Sequence, residues 1–184
     1  MMKFKTNLWI SSIVIGMSIL IPFYTPFKLV IPPASYILFS YISVFLALYY
    51  SWRLALSAVL CMAIALYSAH FPLSIVAECL SHLLLAIVGS SYIRNHADIL
   101  NSVRSYIPFC IRMACLVALG EMGVSMLIFF IKHDITPNTV FVALILVGGV
   151  ALVHSFIEGM IGYILYKVIN KVWGLCSRRK HVNT

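Results

Sequence analysis

Polar residues along this chain punctuate long apolar runs instead of alternating with them. The runs are Leu8 to Ile21, Ala34 to Tyr50, Leu54 to Phe71, Leu73 to Ile93, Ile107 to Ile131 and Thr139 to Tyr166. A helix needs roughly 20 apolar residues to cross a bilayer, or about 17 if short. The pattern therefore predicts an all-α bundle of six transmembrane helices, and no period-two strand pattern competes with it. Only Ser51-Trp52-Arg53 separates the second run from the third. His70-Phe71-Pro72 separates the third from the fourth, where proline disfavours continuing the helix. Both breaks imply tight antiparallel hairpins. The first run follows Lys3 and Lys5 in the manner of a signal peptide. No small-x-small cleavage site comes after it, so a retained helix is expected.

Composition narrows the class. The 184 residues are 62% hydrophobic and 10% charged, with a mean hydropathy of +1.03. A soluble domain keeps about 25% charged residues, so this chain belongs in a membrane. The formal charge of +8 does not point to nucleic acid, because the basic residues lie scattered between apolar runs. Cys61, Cys79, Cys110, Cys115 and Cys176 form no C-x-x-C pair. They indicate neither a disulfide framework nor a zinc site and read as small apolar fillers. No cofactor or metal is expected.

Six spans put both termini on one side. With the N-terminus inside, the cytoplasmic segments hold Lys3, Lys5, Arg53, Arg94, Arg104, Arg112, Lys167, Lys171, Arg178, Arg179 and Lys180, against Lys28 and Lys132 outside. That bias predicts cytoplasmic termini. Trp9, Tyr49, Tyr50, Trp52, Tyr92 and Trp173 then fall near inner boundaries, as an interfacial aromatic belt would. The outer side carries one long connection, "PFYTPFKLVIPP" (Pro22 to Pro33). Such a stiff, greasy loop is expected to fold over the outer mouth and cap a pocket. The inner segment Arg94 to Tyr106 is long enough for a short surface helix. One membrane domain, 1–169, is expected, with a basic cytoplasmic tail from 170 to 184.

Six ionisable groups fall inside the spans: Glu78, His82, Arg112, Glu121, His154 and Glu158. A charge at mid-bilayer costs about 2.5 to 3.5 kcal/mol on the insertion scale, so each needs a partner. Ser74, Glu78, Ser81, His82, Leu85 and Gly89 form one stripe on the fourth helix. Gly148, Ala151, Ser155, Glu158 and Gly162, with His154 beside them, form another on the sixth, and Ala114, Ala118, Glu121 and Ser125 share a face of the fifth. Glu121 is expected level with His82, about 15 Å below the outer end, and the His154–Glu158 pair deeper, at about 22 to 28 Å. Arg112 points away from Glu121, and its long arm can snorkel to headgroups.

A carboxylate and an imidazole can orient a small polar ring, with Phe23, Tyr24, Tyr36 and Tyr67 as apolar walls near the outer mouth. That mixture suits a small-molecule pocket. The expected ligand-binding residues are Tyr24, Glu78, Ser81, His82, Glu121 and His154. Two other readings stay open. The E-x-x-x-H and H-x-x-x-E pairs could ligate a metal, but at different depths. An intramembrane hydrolase would need a nucleophile such as Ser81 against a base, yet Ser81 and His82 are neighbours that do not face one another along a helix.

Two segments, "FPLSIVAECLSHLLLAIVGSSYIRN" (Phe71 to Asn95) and "ALVHSFIEGMIGYILYK" (Ala151 to Lys167), look like the fourth and sixth helices of niacin-type members of a known class. Ser81-His82 and His154-Ser155 are part of the likeness. Together with six spans and a capping first loop, the chain resembles the substrate-binding S component of an energy-coupling factor (ECF) vitamin importer over nearly its whole length. The resemblance implies a bacterial plasma-membrane protein that binds a small vitamin from outside with its first loop as lid. It would then dock through its first helices onto a transmembrane coupling (T) subunit driven by two ATPase subunits. Ser12 and Gly16 stand where the class often carries an alanine stripe for that docking, and both are small enough for close packing. Glu78 stands where a carboxylate-binding member would carry a basic residue, which favours a neutral or cationic ring. The chain has no G-x-x-x-x-G-K-[ST] loop and would supply specificity, not energy. A membrane scaffold of the MreD kind, with about six spans and no ligand, is the alternative.

Overall fold

Residues 8–24, 28–31, 34–37 and 39–182 are described by the structure, a computed structural model. Helix α1 covers Leu8–Tyr24, and strands β1 (Lys28–Ile31) and β2 (Ala34–Ile37) follow. Then come α2 (Ile42–Tyr50), α3 (Trp52–Ser68), α4 (Leu73–Asn95) and α5 (Val103–Ile131). Helix α6 (Pro137–Phe141) runs through a π-helical turn, Val142–Val147, into α7 (Gly148–Val182). Three of these stretches, Leu73–Asn95, Val103–Ile131 and Pro137–Val172, are long and apolar enough to cross a membrane, and α1 and α3 are shorter apolar helices. The architecture is that of a helical membrane bundle.

Two expectations need correcting. The run Ala34 to Tyr50 is not one helix. Its first residues form β2, paired antiparallel with β1 in the register Lys28 opposite Ile37 and Ile31 opposite Ala34. Only the nine residues of α2 are helical. Such a helix is about 13 Å long, well under half of a roughly 30 Å hydrocarbon core. The bundle tolerates it because α2 is central: every one of its residues is buried, and α1, α3, α4 and α7 surround it. Irregular backbone at membrane depth survives only where protein covers it. Periodicity missed the strand because both states fill a buried site with unbroken apolar residues. The aromatic belt is the second correction. Trp9 and Trp52 are exposed as expected, but Tyr49 and Tyr50 are buried.

The turns are built by short-range chemistry. Ser51 alone separates α2 from α3. Its N–H donates to the Ala47 carbonyl, 3.0 Å, while its extended backbone (φ −164°) turns the chain and its Oγ accepts from Leu54 N, 3.1 Å. Helices α3 and α5 end alike, each with a histidine in the left-handed region, His70 (φ 59°) and His133 (φ 54°). Each histidine precedes a six-to-one closure, Phe71 N to Leu66 O (3.1 Å) and Asp134 N to Phe129 O (3.0 Å). Thr136 and Thr139 form a reciprocal capping box that starts α6 at Pro137. The segment between α4 and α5 is a single 3-10 turn, Ala97–Leu100. Helix α7 continues beyond Asn170, so the basic stretch begins as helix.

Interhelical contacts set the relative heights. A methyl at Gly120 would sit 3.2 Å from Ser81 Cβ, and one at Gly89 would sit 3.2 Å from Met113 Sδ, which places α4 antiparallel to α5. Likewise Gly148 lies against Met122 and Gly159 against Cys110, which fixes α7 on α5. The end of α1 lies with the α3–α4 and α5–α6 turns, here termed the hairpin end. Phe23 packs edge-on against Phe71 there, with ring centroids 6.0 Å apart.

Candidate functional site

Three helices, α4, α5 and α7, and the N-cap of α2 bring ionisable groups together between the hairpin end and the middle of the bundle. The predicted stripes face inward: Glu78, His82, Leu85 and Gly89 are buried on α4, Ala114, Ala118, Glu121 and Ser125 on α5, and Gly148, Ala151, His154, Ser155, Glu158 and Gly162 on α7. Lipid-facing positions lie between them, among them Leu80, Leu84 and Ile87 on α4. A polar residue on such a stripe avoids the hydrocarbon because its own helix turns it toward protein.

Helices α4 and α5 deliver His82 and Glu121 to the same level, as the sequence reading expects. His82 Nε2 stands 3.7 Å from Glu121 Oε1, beyond normal hydrogen-bond reach. On the other side of the ring, His82 Nδ1 donates to the Glu78 carbonyl one turn back, 3.1 Å. With that proton on Nδ1, the neutral ring presents Nε2 as an acceptor. On α7, His154 Nε2 lies 2.7 Å from Glu158 Oε1 within one helix. Interpolating between the Gly148–Met122 and Gly159–Cys110 contacts puts His154 opposite residues 115–116 of α5. That is about 8 Å farther from the hairpin end than Glu121.

Tyr41 spans this step. Its ring stacks on His82 with centroids 3.6 Å apart and meets His154 edge-on at 6.0 Å. Its backbone N–H donates to Glu158 Oε2, 3.0 Å. The two pairs, expected as separate features at different depths, therefore share one buried neighbour at the foot of the β-hairpin. Phe39, at φ 71°, makes the left-handed bend between β2 and this residue. Tyr41 is the member of this cluster that the sequence reading missed. Inside an apparent 17-residue apolar run it looks like any core aromatic, and only the break at Phe39 sets it apart.

Other expected residues fare differently. Glu78 is buried within the stripe. Ser81 is half-buried and donates to the Glu78 carbonyl, 2.7 Å, with Gly120 packed against it; it does not meet His82. Tyr24 is 80% exposed and stands outside the cluster, as does the exposed Tyr67. Strand β2, with Tyr36, runs against α4; the loop residues 25–27 and 32–33 lie outside the described set. Ser12 is exposed, and the space above Gly16 is open. No group of three His, Cys, Asp or Glu close enough to hold a metal ion occurs among the described residues.

The chemistry of the site is that of an incompletely matched polar cluster. The hydroxyls of Ser125 and Ser155 and the Nε2 of His82 are buried without a hydrogen-bond partner among the described residues. A buried polar group left so costs about 1–3 kcal/mol. No family model, curated protein or solved structure matches the chain.

Proposed function

We propose that the chain is the substrate-binding S component of an ECF-type importer in a bacterial plasma membrane, taking up a small, ring-containing vitamin or precursor. The reading rests on the convergence of His82, Glu121, His154 and Glu158 around Tyr41, with His82 Nε2 and the Ser125 and Ser155 hydroxyls carrying no hydrogen bond among the described residues. A guest with N–H or O–H donors would satisfy these atoms, and the Tyr41 ring offers a flat face for stacking. The acidic residues favour a neutral or cationic guest over a carboxylate. The β1–β2 pair, which ends four residues before Tyr41, would couple lid position to the site. Exposed Ser12 and open Gly16 on α1 suit close docking of a coupling subunit, whose ATPase partners would supply the energy.

The test is to purify the protein and identify any co-purifying small molecule by mass spectrometry, then repeat with His82→Ala and Glu78→Ala. Loss of the molecule in both supports the reading. Unchanged retention in both removes the site, and growth rescue of vitamin auxotrophs separates candidate substrates.

A second reading, a ligand-free scaffold of the MreD kind, draws on one observation. Glu158 is already engaged by His154 and by the Tyr41 N–H, as a purely structural network would be. An intramembrane hydrolase gains nothing from the geometry, since the Ser81 hydroxyl is spent on its own helix.

A further inference from the structure

At the far end of the bundle Arg112 stands on the lipid-facing surface of α5, exposed among Ile111, Cys115 and Leu119. It forms no ion pair among the described residues. Its one hydrogen bond among them is from Nη1 to the Tyr92 hydroxyl of α4, 2.6 Å, and its guanidinium lies 5.7 Å from the centre of the Tyr92 ring. Tyr92 is held in turn. His96 stacks on it with centroids 4.5 Å apart and bonds its carbonyl through Nδ1 at 3.2 Å, and Phe109 leans on it at 5.5 Å. The side chain of Arg112 is thus drawn across the α4–α5 groove to a fixed tyrosine near the last turn of α4.

A guanidinium presents five N–H donors in a planar fork. One is used. Among the described residues the rest stay unengaged on an exposed face beside the last turn of α4, and water alone would not require the arm to be pinned. Phosphodiester oxygens match the fork in pairs, and basic pockets between helices at this level suit anionic headgroups. The chain is strongly basic, and Asp98 is the only acidic residue between Glu78 and Glu121, so nothing local competes for the cation. We infer that Arg112 and Tyr92 form a docking site for the headgroup of an anionic phospholipid in the groove between α4 and α5. The inference rests on the membrane reading alone and is independent of the transported solute.

The experiment uses the full chain purified in a neutral detergent. Its melting temperature is followed while phosphatidylglycerol, phosphatidylcholine or inorganic phosphate is added, and bound lipid is counted by native mass spectrometry. Phosphatidylglycerol should stabilise the protein and remain bound, phosphatidylcholine and phosphate should do neither, and Arg112→Ala should lose at least tenfold in lipid affinity. Tyr92→Phe should lose a few-fold, and Arg104→Ala, an exposed arginine outside the groove, should behave as the parent. Arg112→Gln, monodisperse and helical by circular dichroism, guards against a folding defect. Equal lipid binding by the parent and Arg112→Gln overturns the site. Equal loss in Arg104→Ala makes the attraction diffuse and also overturns it, as does an Arg112-dependent shift produced equally by inorganic phosphate.

Discussion

Two buried polar clusters divide the bundle, and they solve the same problem differently. In the far half, Tyr49 and Tyr106 share a hydrogen bond, and both hydroxyls reach the Gly159 carbonyl, Tyr106 at 2.9 Å and Tyr49 at 3.3 Å. Tyr163 stacks on Tyr106 with centroids 4.2 Å apart and donates to the Leu100 carbonyl, 3.4 Å. Each of these three hydroxyls has a named acceptor. In the cluster nearer the hairpin end the groups are ionisable, the His82–Glu121 approach is long, and the Ser125 and Ser155 hydroxyls lack bonds among the described residues. The far cluster joins α2, α5 and α7 and closes its accounts internally. The hairpin cluster leaves acceptors and donors over. A polar network kept for packing tends toward full satisfaction, and one kept for a guest does not.

This contrast can be broken at several points. The severest is Gly159→Val, because a methyl there would meet Cys110 Sγ at 2.6 Å and Phe45 Cε1 at 3.2 Å beneath the shared carbonyl. Overpacking of about 1–3 kcal/mol or more is expected. It should read as a fall in melting temperature of roughly 2–12 °C or as loss of monodisperse protein. Next is Tyr106→Phe, which deletes the better of the two bonds to Gly159 and the partner of Tyr49. It should destabilise by about 1–2 kcal/mol and leave retention of any co-purifying molecule unchanged.

Glu121→Gln should show the opposite pattern. The shape is kept, so thermal stability should change by less than about 1 kcal/mol. Retention of any co-purifying molecule should fall about tenfold, equivalent to about 1.4 kcal/mol. If Glu121→Gln instead lowers the melting temperature as far as Tyr106→Phe does and spares retention, both clusters are structural and the contrast disappears. The mildest change is Tyr24→Ala. Its side chain is 80% exposed, so stability should move by no more than about 0.5 kcal/mol, with retention intact. A clear loss of retention would mean that the chain end of α1 folds over the site when it is occupied.

Much of the site was legible before any coordinates. The inward stripes on α4, α5 and α7 follow from a 100° step and the cost of exposing an acid or imidazole to lipid. Those two constraints leave His82, Glu121, His154 and Glu158 only one direction to face. The level match of His82 with Glu121 needed nothing beyond helix rise and the positions of the outer turns. That Arg112 turns away from the site was likewise readable, because its spacing from Glu121 puts it on the opposite face.

The sequence by itself determined that this is a membrane bundle with the acids and histidines of its spans turned inward, since hydropathy and helical period are local and lipid enforces both. Tertiary structure alone decided that the Ala34–Tyr50 run splits into a strand and a nine-residue helix, and that Tyr41 bridges two histidine–carboxylate pairs. The physical reason is coverage. A segment surrounded by α1, α3, α4 and α7 meets protein on every side, so neither its length nor its pattern is constrained by the bilayer. The choice between strand and helix there belongs to the neighbours that satisfy its backbone.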